Sequence, residues 1–442
     1  MNPNHAFDLS RRDMLAATAA GVGGLALEPS AKASTVRAGK AKAVIQIWMW
    51  GGPCHLDTFD PKPDAGADYC GPYTSPVKTN VDGIRICERL PLLAKQADKY
   101  SIIRSMTHGI NAHETASYVT QTGRPAGGEV YPCVGAVVSH FKGYDAGYKG
   151  LLPPYIVLTK PQGRFSESGF MGLRYKPFAT GGKPSAPVFT VEGIIQNGIT
   201  QARQRNRRDL LHALDSYGKK MKDNEAFSQM GLCEDQAYEL ILGDAGKVFD
   251  IKTEDVKLRE RYGNANSDFG ASCLIARKLV EAGVPYVTIN YNGWDTHKKH
   301  FDIMNNKLTE LDRGFSTLLD DLHQRGLLDS TIVWWGGEFG RGPKIQWEAP
   351  WNGGRSHFGK CFSHVVAGGG FQGGQVVGTS NDKGMEVADR PVYPWDLIGS
   401  MYEQLGIDPD ARLPHPQGID VRVCPTEADG VSFGGRLREI MS

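Results

Sequence analysis

A strand and two candidate metal ligands stand together in Pro285-Tyr-Val-Thr-Ile-Asn-Tyr-Asn-Gly-Trp-Asp-Thr-His297. The β-branched and aromatic run predicts a buried strand, and Asn292-Gly293 predicts the turn that ends it. Asp295 and His297 follow directly and offer an oxygen and a nitrogen ligand. Ligands of an open α/β sheet bind just beyond the carboxyl ends of its strands. We therefore expect a metal site here if other strand ends deliver partners.

Other predicted strands end in similar groups. Apolar runs predict strands over residues 43–50, 101–106, 154–158, 330–337 and 363–367. Strand, helix and strand follow one another around residues 285–337, which predicts a parallel sheet with its carboxyl ends at one edge. The polar residues that follow these strands or lie on the loop before the last one are His55, Asp57, His113, Glu338, Arg341, Arg355 and His357.

The sequence contains two clear helix signals, of which the first bears on the site. Asn111 and Glu114 have the spacing of a capping box, which predicts a helix that starts near Ala112. His113 would then lie in the first turn, where backbone N–H groups and the helix dipole favour an anion. The longest helix signal has apolar residues at alternating spacings of four and three and indicates core packing: Met304, Leu308, Leu311, Phe315, Leu318 and Leu322.

The mixture of carboxylates and imidazoles indicates which metals would fit. Such a set suits zinc, manganese or iron, whereas calcium and magnesium prefer mostly oxygen ligands. We expect one or two divalent ions, with zinc favoured over manganese, iron or calcium. Arg341 and Arg355 have a fork geometry suited to phosphate or sulfate oxygens, although salt bridges to carboxylates are an equal alternative.

Composition and motifs exclude several function classes. The chain of 442 residues has a formal net charge of +1, so neither nucleic acid nor an anionic membrane is an expected partner. It has no Gly-x-Ser-x-Gly elbow, no P-loop and no dinucleotide-binding glycine fingerprint. Its eight cysteines lack zinc-site spacing, so buried thiols are expected for most of them, with one or two disulfides as the alternative.

The N-terminus predicts export. Arg11-Arg12 precede a weakly apolar segment over residues 16–27 and the small-residue pattern Ala31-Lys-Ala33. This is typical of a Tat signal peptide covering residues 1–33, read by the Tat translocase and removed on export. The mature protein would be periplasmic or extracellular, and no other segment is apolar enough to span a membrane. Residues 34–442 are predicted to form a single domain, with a cap-like insertion of loops and charged helices at about 160–265.

Four motifs in order resemble a Tat-exported family called domain of unknown function 1501. The resemblance covers roughly residues 43 to 424 and is carried by Trp50-Gly-Gly-Pro-Cys-His-Leu-Asp-Thr-Phe-Asp-Pro61, Gly293-Trp-Asp-Thr-His297, Glu338-Phe-Gly-Arg341 and Gly354-Arg-Ser-His357. That family is grouped with the alkaline-phosphatase-like superfamily, which includes sulfatases and phosphatases. The resemblance implies an α/β three-layer sandwich: a central, mainly parallel sheet, helices on both faces and metal ions at its carboxyl edge.

The resemblance also implies roles for single residues. The metal ligands would be Asp57, Asp295, His297, Glu338 and His357. The residue types and positions of His55, Arg341 and Arg355, taken by themselves, predict substrate binding. His113 stands where sulfatases carry their modified cysteine nucleophile, and is the predicted catalytic residue. Three interpretations stay open: His113 attacks, a metal activates water without a covalent intermediate, or the site binds anions without turnover.

The expected function is that of an exported metal-dependent hydrolase-like protein. Its substrate would be a phosphate or sulfate ester, either a small molecule or a polysaccharide. The alternative is a non-catalytic exported binding protein that recognises anionic or glycan ligands.

Overall fold

The apolar run after Lys42 becomes a central strand of the main sheet. Its six residues, Ala43–Trp48, are all buried, as expected for a strand with helices on both faces. The computed structural model describes residues 39–161, 163, 167–186, 189, 191, 200–214, 238, 244–263 and 267–442. The signal peptide predicted over residues 1–33 lies outside them.

The longest of the described strands lie in the main sheet. In chain order the strands are β1 (Ala43–Trp48), β2 (Val77–Lys78), β3 (Arg85–Ile86), β4 (Tyr100–Met106), β5 (Tyr155–Leu158), β6 (Phe178–Ala179), β7 (Tyr286–Asn290), β8 (Thr331–Gly336), β9 (Gly340–Arg341), β10 (His357–Phe358), β11 (Phe362–Ala367), β12 (Val376–Val377), β13 (Thr379–Ser380), β14 (Val387–Asp389), β15 (Arg412–Leu413) and β16 (Val421–Arg422).

Eight of these strands form the main sheet, in the order β12-β4-β11-β8-β1-β7-β5-β6. The pairs β1–β7, β1–β8, β5–β7, β5–β6 and β12–β4 are parallel. Among the strands described, β11 is antiparallel to its two neighbours, β4 and β8. The carboxyl ends of β1, β4, β7 and β8 therefore share one edge with the amino end of β11. The predicted strands and the mainly parallel sheet are confirmed.

Helices cover both faces of the sheet. Those described are α1 (Ala67–Cys70), α2 (Pro91–Ala94), α3 (His113–Thr122), α4 (Val134–Lys142), α5 (Gln201–Leu214), α6 (Val256–Arg261), α7 (Asp268–Glu281), α8 (His300–Gln324) and α9 (Pro394–Gln404). α2, α7 and α8 contribute to the apolar core on one face, and α4 and α9 contribute to the core on the other. The predicted three-layer α/β class is confirmed.

The predicted apolar stripe of α8 is buried throughout, from Met304 to Leu322. Burying each such side chain stabilises the fold by roughly 1.5–3 kcal/mol. The helix is held against the sheet in this way, and its first residue, His300, is itself buried. This packing fixes where the β7–α8 loop must run.

The predicted capping box at the start of α3 is wrong. The helix begins at His113, and Ala112 stands at the N-cap without a side-chain capping bond. The Asn111 Oδ1 atom instead accepts a hydrogen bond of 2.7 Å from the backbone N–H of Gly359. The tertiary contact with the segment before β11 uses the group that the local pattern assigned to the cap.

The predicted insertion at about 160–265 is described only in part. Its described elements include β6, the exposed helix α5 that carries the arginine-rich run, and α6. The remainder lies outside the described residues, so the domain boundaries stay a prediction. Within the same described ranges, no helix combines the length and apolar character needed to cross a bilayer. Seven cysteines there are buried free thiols, and Cys233 lies outside those ranges.

Candidate metal centre

The candidate site is assembled at the shared edge of the sheet. α3 follows β4 and begins with His113. Asp295 and His297 lie in the loop from β7 to α8, and His357 opens β10, which pairs with β9 just beyond β8. The strand order therefore brings together side chains that are far apart in the chain.

Asp295 is the shared member of this cluster. Its Oδ1 atom lies 3.1 Å from His297 Nε2 and 3.2 Å from His357 Nε2. Its Oδ2 atom lies 3.4 Å from His113 Nε2. The Nε2 atoms of His297 and His357 are 2.8 Å apart. About 41% of the Asp295 side chain is exposed, so the cluster is open to solvent.

Hydrogen bonds at the Nδ1 atoms of His113 and His357 set the direction in which the Nε2 atoms of these rings point. His113 Nδ1 lies 2.6 Å from Glu338 Oε1, and His357 Nδ1 lies 2.8 Å from the carbonyl oxygen of Asn111. An ionised carboxylate and a carbonyl can only accept, so each neutral ring carries its proton on Nδ1. The Nε2 lone pairs of both histidines then point towards Asp295.

Glu338 lies beneath the cluster. Its side chain is fully buried, and its two carboxylate oxygens lie 3.0 and 3.2 Å from the backbone nitrogen of Gly51. Gly51 has φ of +108°, and a Cβ atom there would overlap the backbone of Asp295. Position 51 requires glycine because the loop after β1 crosses the loop that carries Asp295 at this point.

Arg341 was predicted to bind substrate, and the structure shows its donors in use. Its Nε donates to the carbonyl oxygen of Gly51 at 2.9 Å, and its Nη1 to that of Arg355 at 3.1 Å. Its Nη2 pairs with Asp295. The guanidinium is buried, so it holds the cluster from behind.

Asp57 and Arg355 lie together below the cluster. Arg355 Nη2 donates to Asp57 Oδ1 at 2.9 Å, and Arg355 Nε lies 2.8 Å from Oδ2. His300 Nε2 lies 2.8 Å from the same Oδ2. All three side chains are buried. Asp57 was predicted as a metal ligand and Arg355 as an anion-binding residue, but the structure engages each with the other.

His55 has hydrogen-bond and ring contacts of its own. It is buried, its Nε2 lies 2.9 Å from the carbonyl oxygen of Gly384, and its ring stacks on Phe358. Burial lowers the pKa of His55, which favours the neutral ring. These contacts are those of a packed histidine, and its predicted substrate role stays a prediction.

The pKa shifts follow from these contacts. The hydrogen bond that His113 donates to Glu338 raises the pKa of His113, outweighing its burial. Burial of Asp295 opposes ionisation, but the adjacent charge of Arg341 outweighs it and lowers the pKa of this carboxyl. Burial, then the charge of Arg341, lowers the pKa of His297 and of His357. The ionised carboxylate of Asp295 and the neutral rings of His297 and His357 are the states that bind a metal, whereas His113 must first lose the proton that its raised pKa favours.

Aromatic rings wall the cluster. Trp50 stacks on His113 with ring centroids 5.4 Å apart, and Phe339 stacks on His357 at 4.7 Å. The ring centroids of Trp351 and His297 are 6.4 Å apart. These rings restrict the rotation of the three imidazoles and leave the side occupied by Asp295 open.

The donor set fits a divalent metal. His113, Asp295 and His357 offer one ligand atom each within 4.8 Å of one another, and His297 adds a fourth close to two of them. Three imidazoles and one carboxylate suit zinc. The contact from Glu338 to His113 matches the carboxylate that commonly orients a metal-bound histidine.

Some of these residues were not singled out in the sequence. His300 has no local signal, because it stands at the start of a helix whose apolar stripe begins at Met304. The ring contacts of Trp50 and Phe339 depend on how the loops fold together. Only their place beside predicted ligands, one after β1 and one after Glu338, could have drawn attention to them.

A family comparison matches residues 41–431, to a family described as protein of unknown function, DUF1501. The chain belongs to the DUF1501 family. The resemblance inferred from four motifs is thereby confirmed, and in this DUF1501 member all four motifs lie at or just below the candidate centre. No curated protein matches the chain in sequence.

Several solved structures resemble this DUF1501 chain distantly. A protein in the alkaline phosphatase superfamily from Vibrio parahaemolyticus is 10% identical with a TM-score of 0.37, covering 91% of this chain and 76% of its own. A sulfatase from Pseudoalteromonas sp. is 13% identical with a TM-score of 0.37, covering 83% and 68%. The C-terminal periplasmic domain of EcEptC from Escherichia coli, in complex with Zn, is 8% identical with a TM-score of 0.34, covering 86% and 88%. Such distant likenesses say nothing of what the DUF1501 chain acts on.

Proposed function

We propose that this protein is an exported metal-dependent hydrolase that acts on a phosphate or sulfate ester. The observation that carries the proposal is the convergence of His113, His297 and His357 on the solvent-facing carboxylate of Asp295. Four donors from three separate segments, backed by buried carboxylate and guanidinium groups, form a site built before any ligand arrives.

The geometry supports a revised role for two residues. His113 has both ring nitrogens directed at carboxylates, Glu338 at 2.6 Å and Asp295 at 3.4 Å, so it is poorly placed to attack a substrate. We assign it as a ligand through Nε2, with Glu338 as the group that orients it. A divalent ion held by this cluster would polarise an ester oxygen and lower the pKa of a bound water.

Charge explains why an anionic substrate would depend on the metal. With all three imidazoles neutral, as they must be to hold a metal, the charged groups at the cluster are the carboxylates of Asp295 and Glu338 and the guanidinium of Arg341. Two negative charges and one positive charge leave a net charge of −1, which repels an anion. A divalent cation would reverse this to +1 and attract a phosphate or sulfate ester.

An aromatic rim supports a sugar as the esterified group. Trp351 lies beside His297, and Lys298 Nζ lies 6.0 Å from the centre of its ring. Trp347 on the same loop is 47% exposed and stacks on Phe301. Exposed tryptophan rings stack on the C–H faces of sugars, and a lysine beside them adds a contact for a further anionic group. We therefore extend the proposal to anionic polysaccharides.

The second candidate function is a binding protein without turnover. It is favoured by one observation, the engagement of His113 between two carboxylates, which removes the histidine nucleophile predicted from the sequence. Under this alternative the same cluster would hold a metal and an anion, and no ester would be cleaved.

Metal content and turnover distinguish the two candidates. Untagged protein is analysed for metals and assayed with 4-nitrophenyl phosphate and 4-nitrophenyl sulfate. Asp295→Asn should lose metal and activity together, whereas Asp302→Asn, an exposed acid in the first turn of α8, should change neither. Stoichiometric metal without cleavage of either ester would favour the binding protein, and metal unaffected by Asp295→Asn would refute the ligand assignment.

The sugar and export proposals have their own tests. Trp351→Ala should raise KM for a sulfated oligosaccharide and leave KM for the 4-nitrophenyl ester unchanged. Replacing Arg11-Arg12 by two lysines should retain the precursor in the cytoplasm, because the Tat machinery reads the arginine pair.

A further inference from the structure

Thr296 stands between two of the proposed ligands but faces the other way. About 41% of the Asp295 side chain and 37% of the His297 side chain are exposed, whereas Thr296 is only 2% exposed. Its side chain therefore points into the protein beneath the cluster. Whatever it contacts there determines how the Asp295–His297 segment is held.

A directional chain of hydrogen bonds leads away from this hydroxyl. Thr296 Oγ1 lies 2.6 Å from His300 Nδ1, and His300 Nε2 lies 2.8 Å from Asp57 Oδ2. The ionised carboxylate of Asp57 can only accept, so His300 carries its proton on Nε2. Its Nδ1 is then left to accept the proton of the Thr296 hydroxyl. Each bond fixes the orientation of the next.

Asp57 also holds the other side of the cluster. Its carboxylate pairs with Arg355, whose backbone N–H donates to the carbonyl oxygen of Thr296 at 3.2 Å. The carbonyl oxygen of Arg355 accepts from Arg341, which pairs with Asp295. His357 follows Arg355 by two residues. One buried carboxylate thus ties together both segments that carry proposed ligands.

The chain Thr296–His300–Asp57 has the residue types of a nucleophile triad, with a hydroxyl, an imidazole and a carboxylate in order. The burial of Thr296 rules out that use, because a substrate cannot reach Oγ1 without displacing the loop. The same bonds instead restrain the loop from inside. Hydrogen bonds of this kind beneath metal ligands tune how well the ligands bind.

We propose that Asp57, His300 and Thr296 are positioning residues that align Asp295, His297 and His357 for metal binding. This inference rests on the metal centre in the proposed function. It differs from the ligand role predicted for Asp57, because removing a ligand takes away a bond to the ion and can abolish its binding, whereas removing a positioning group leaves the ion bound less tightly.

The test compares Thr296→Val with Thr296→Ser. Valine keeps the shape and removes the hydroxyl, and serine restores it. Zinc affinity and stoichiometry are measured by competition with a chromogenic chelator, with Thr309→Val on the exposed face of α8 as the control. We expect Thr296→Val to weaken zinc binding roughly 10–100-fold at unchanged stoichiometry, and Thr296→Ser to bind like wild type. Asp57→Asn should weaken binding in the same way without loss of an ion.

The outcomes separate this inference from the proposed function. Wild type that binds no zinc would contradict the metal centre itself. Wild type that binds zinc and a Thr296→Val variant that binds it equally well would overturn only the positioning role. Loss of an ion in Asp57→Asn would make Asp57 a ligand and also overturn it. Should Thr296→Val fail to fold, the ¹⁵N spectrum of His300 in metal-free wild type decides, since a proton on Nδ1 contradicts the chain.

Discussion

His113 Nδ1 and Glu338 Oε1 lie 2.6 Å apart, which links the first residue of α3 to the loop after β8 across 225 positions of sequence. The same carboxylate accepts a hydrogen bond from the backbone N–H of Gly51, which follows β1. Three strand ends therefore meet at one buried acid. The direction of the His113 ring, and with it the position of its free nitrogen, depends on this contact.

Replacing Glu338 by glutamine should weaken metal binding. The amide retains the size of the side chain and an acceptor for Gly51, but it removes the negative charge that makes His113 a better ligand. We expect zinc affinity to fall roughly 10–100-fold. Chelator competition measures this, and Glu348→Gln at an exposed site serves as the control. Equal affinity in both variants would show that Glu338 does not orient a ligand.

The stability of the metal-free protein should depend on His113 in a defined direction. Its folded-state pKa is raised, so the stabilisation it contributes is complete below the ordinary histidine pKa and is lost as pH rises through the folded value. The difference in free energy of unfolding between wild type and His113→Gln should thus shrink as the pH rises above the ordinary histidine pKa. Guanidinium titrations in chelator measure it, and His323→Gln, at an exposed position, controls for the loss of a histidine as such. A difference that grows with pH would contradict the assigned contact.

Gly51→Ala should disrupt the crossing of two loops. A methyl group at φ +108° is strained and would also overlap the backbone of Asp295, so both stability and metal binding should suffer. Gly83→Ala is the matched control, since φ there is +83° but no atom lies within 4 Å of the added group. Strain alone should cost about 1–2 kcal/mol in the control, and Gly51→Ala should cost clearly more. Thermal unfolding and zinc titration test the pair, and equal losses would indicate strain without crowding.

Arg341→Lys should be destabilising although the charge is kept. A single ammonium group cannot serve Asp295 and the carbonyl oxygens of Gly51 and Arg355 at once. Each buried carbonyl left without a donor costs about 1–3 kcal/mol. Urea unfolding measures the loss, and Arg412→Lys in an exposed ion pair should be close to neutral. An unchanged midpoint in Arg341→Lys would mean that these contacts contribute little.

The sheet, and the edge at which the candidate ligands lie, could be predicted from the sequence, because buried strands are marked by unbroken apolar runs such as Ala43–Trp48. Candidate ligands could be collected because parallel strands share an edge. Which of these residues would pair with each other could not be predicted from the sequence. Asp57 and Arg355 are 298 residues apart, and no local pattern shows that they pair with each other instead of binding a ligand. The capping box at Asn111 failed for the same reason, since a distant backbone N–H competes for its side chain.

The direction of β11 affects how this protein could change its specificity. Because β11 is antiparallel to β8, residues 337–361 leave the sheet and return to it at the same edge. This excursion carries Arg341, Trp351 and His357. Residues 344–353 lie between Arg341 and His357, so this segment could be lengthened or exchanged without changing the order of the strands in the sheet. Laboratory recombination of this segment between family members should therefore alter substrate range while the sheet and the buried acid beneath it stay intact.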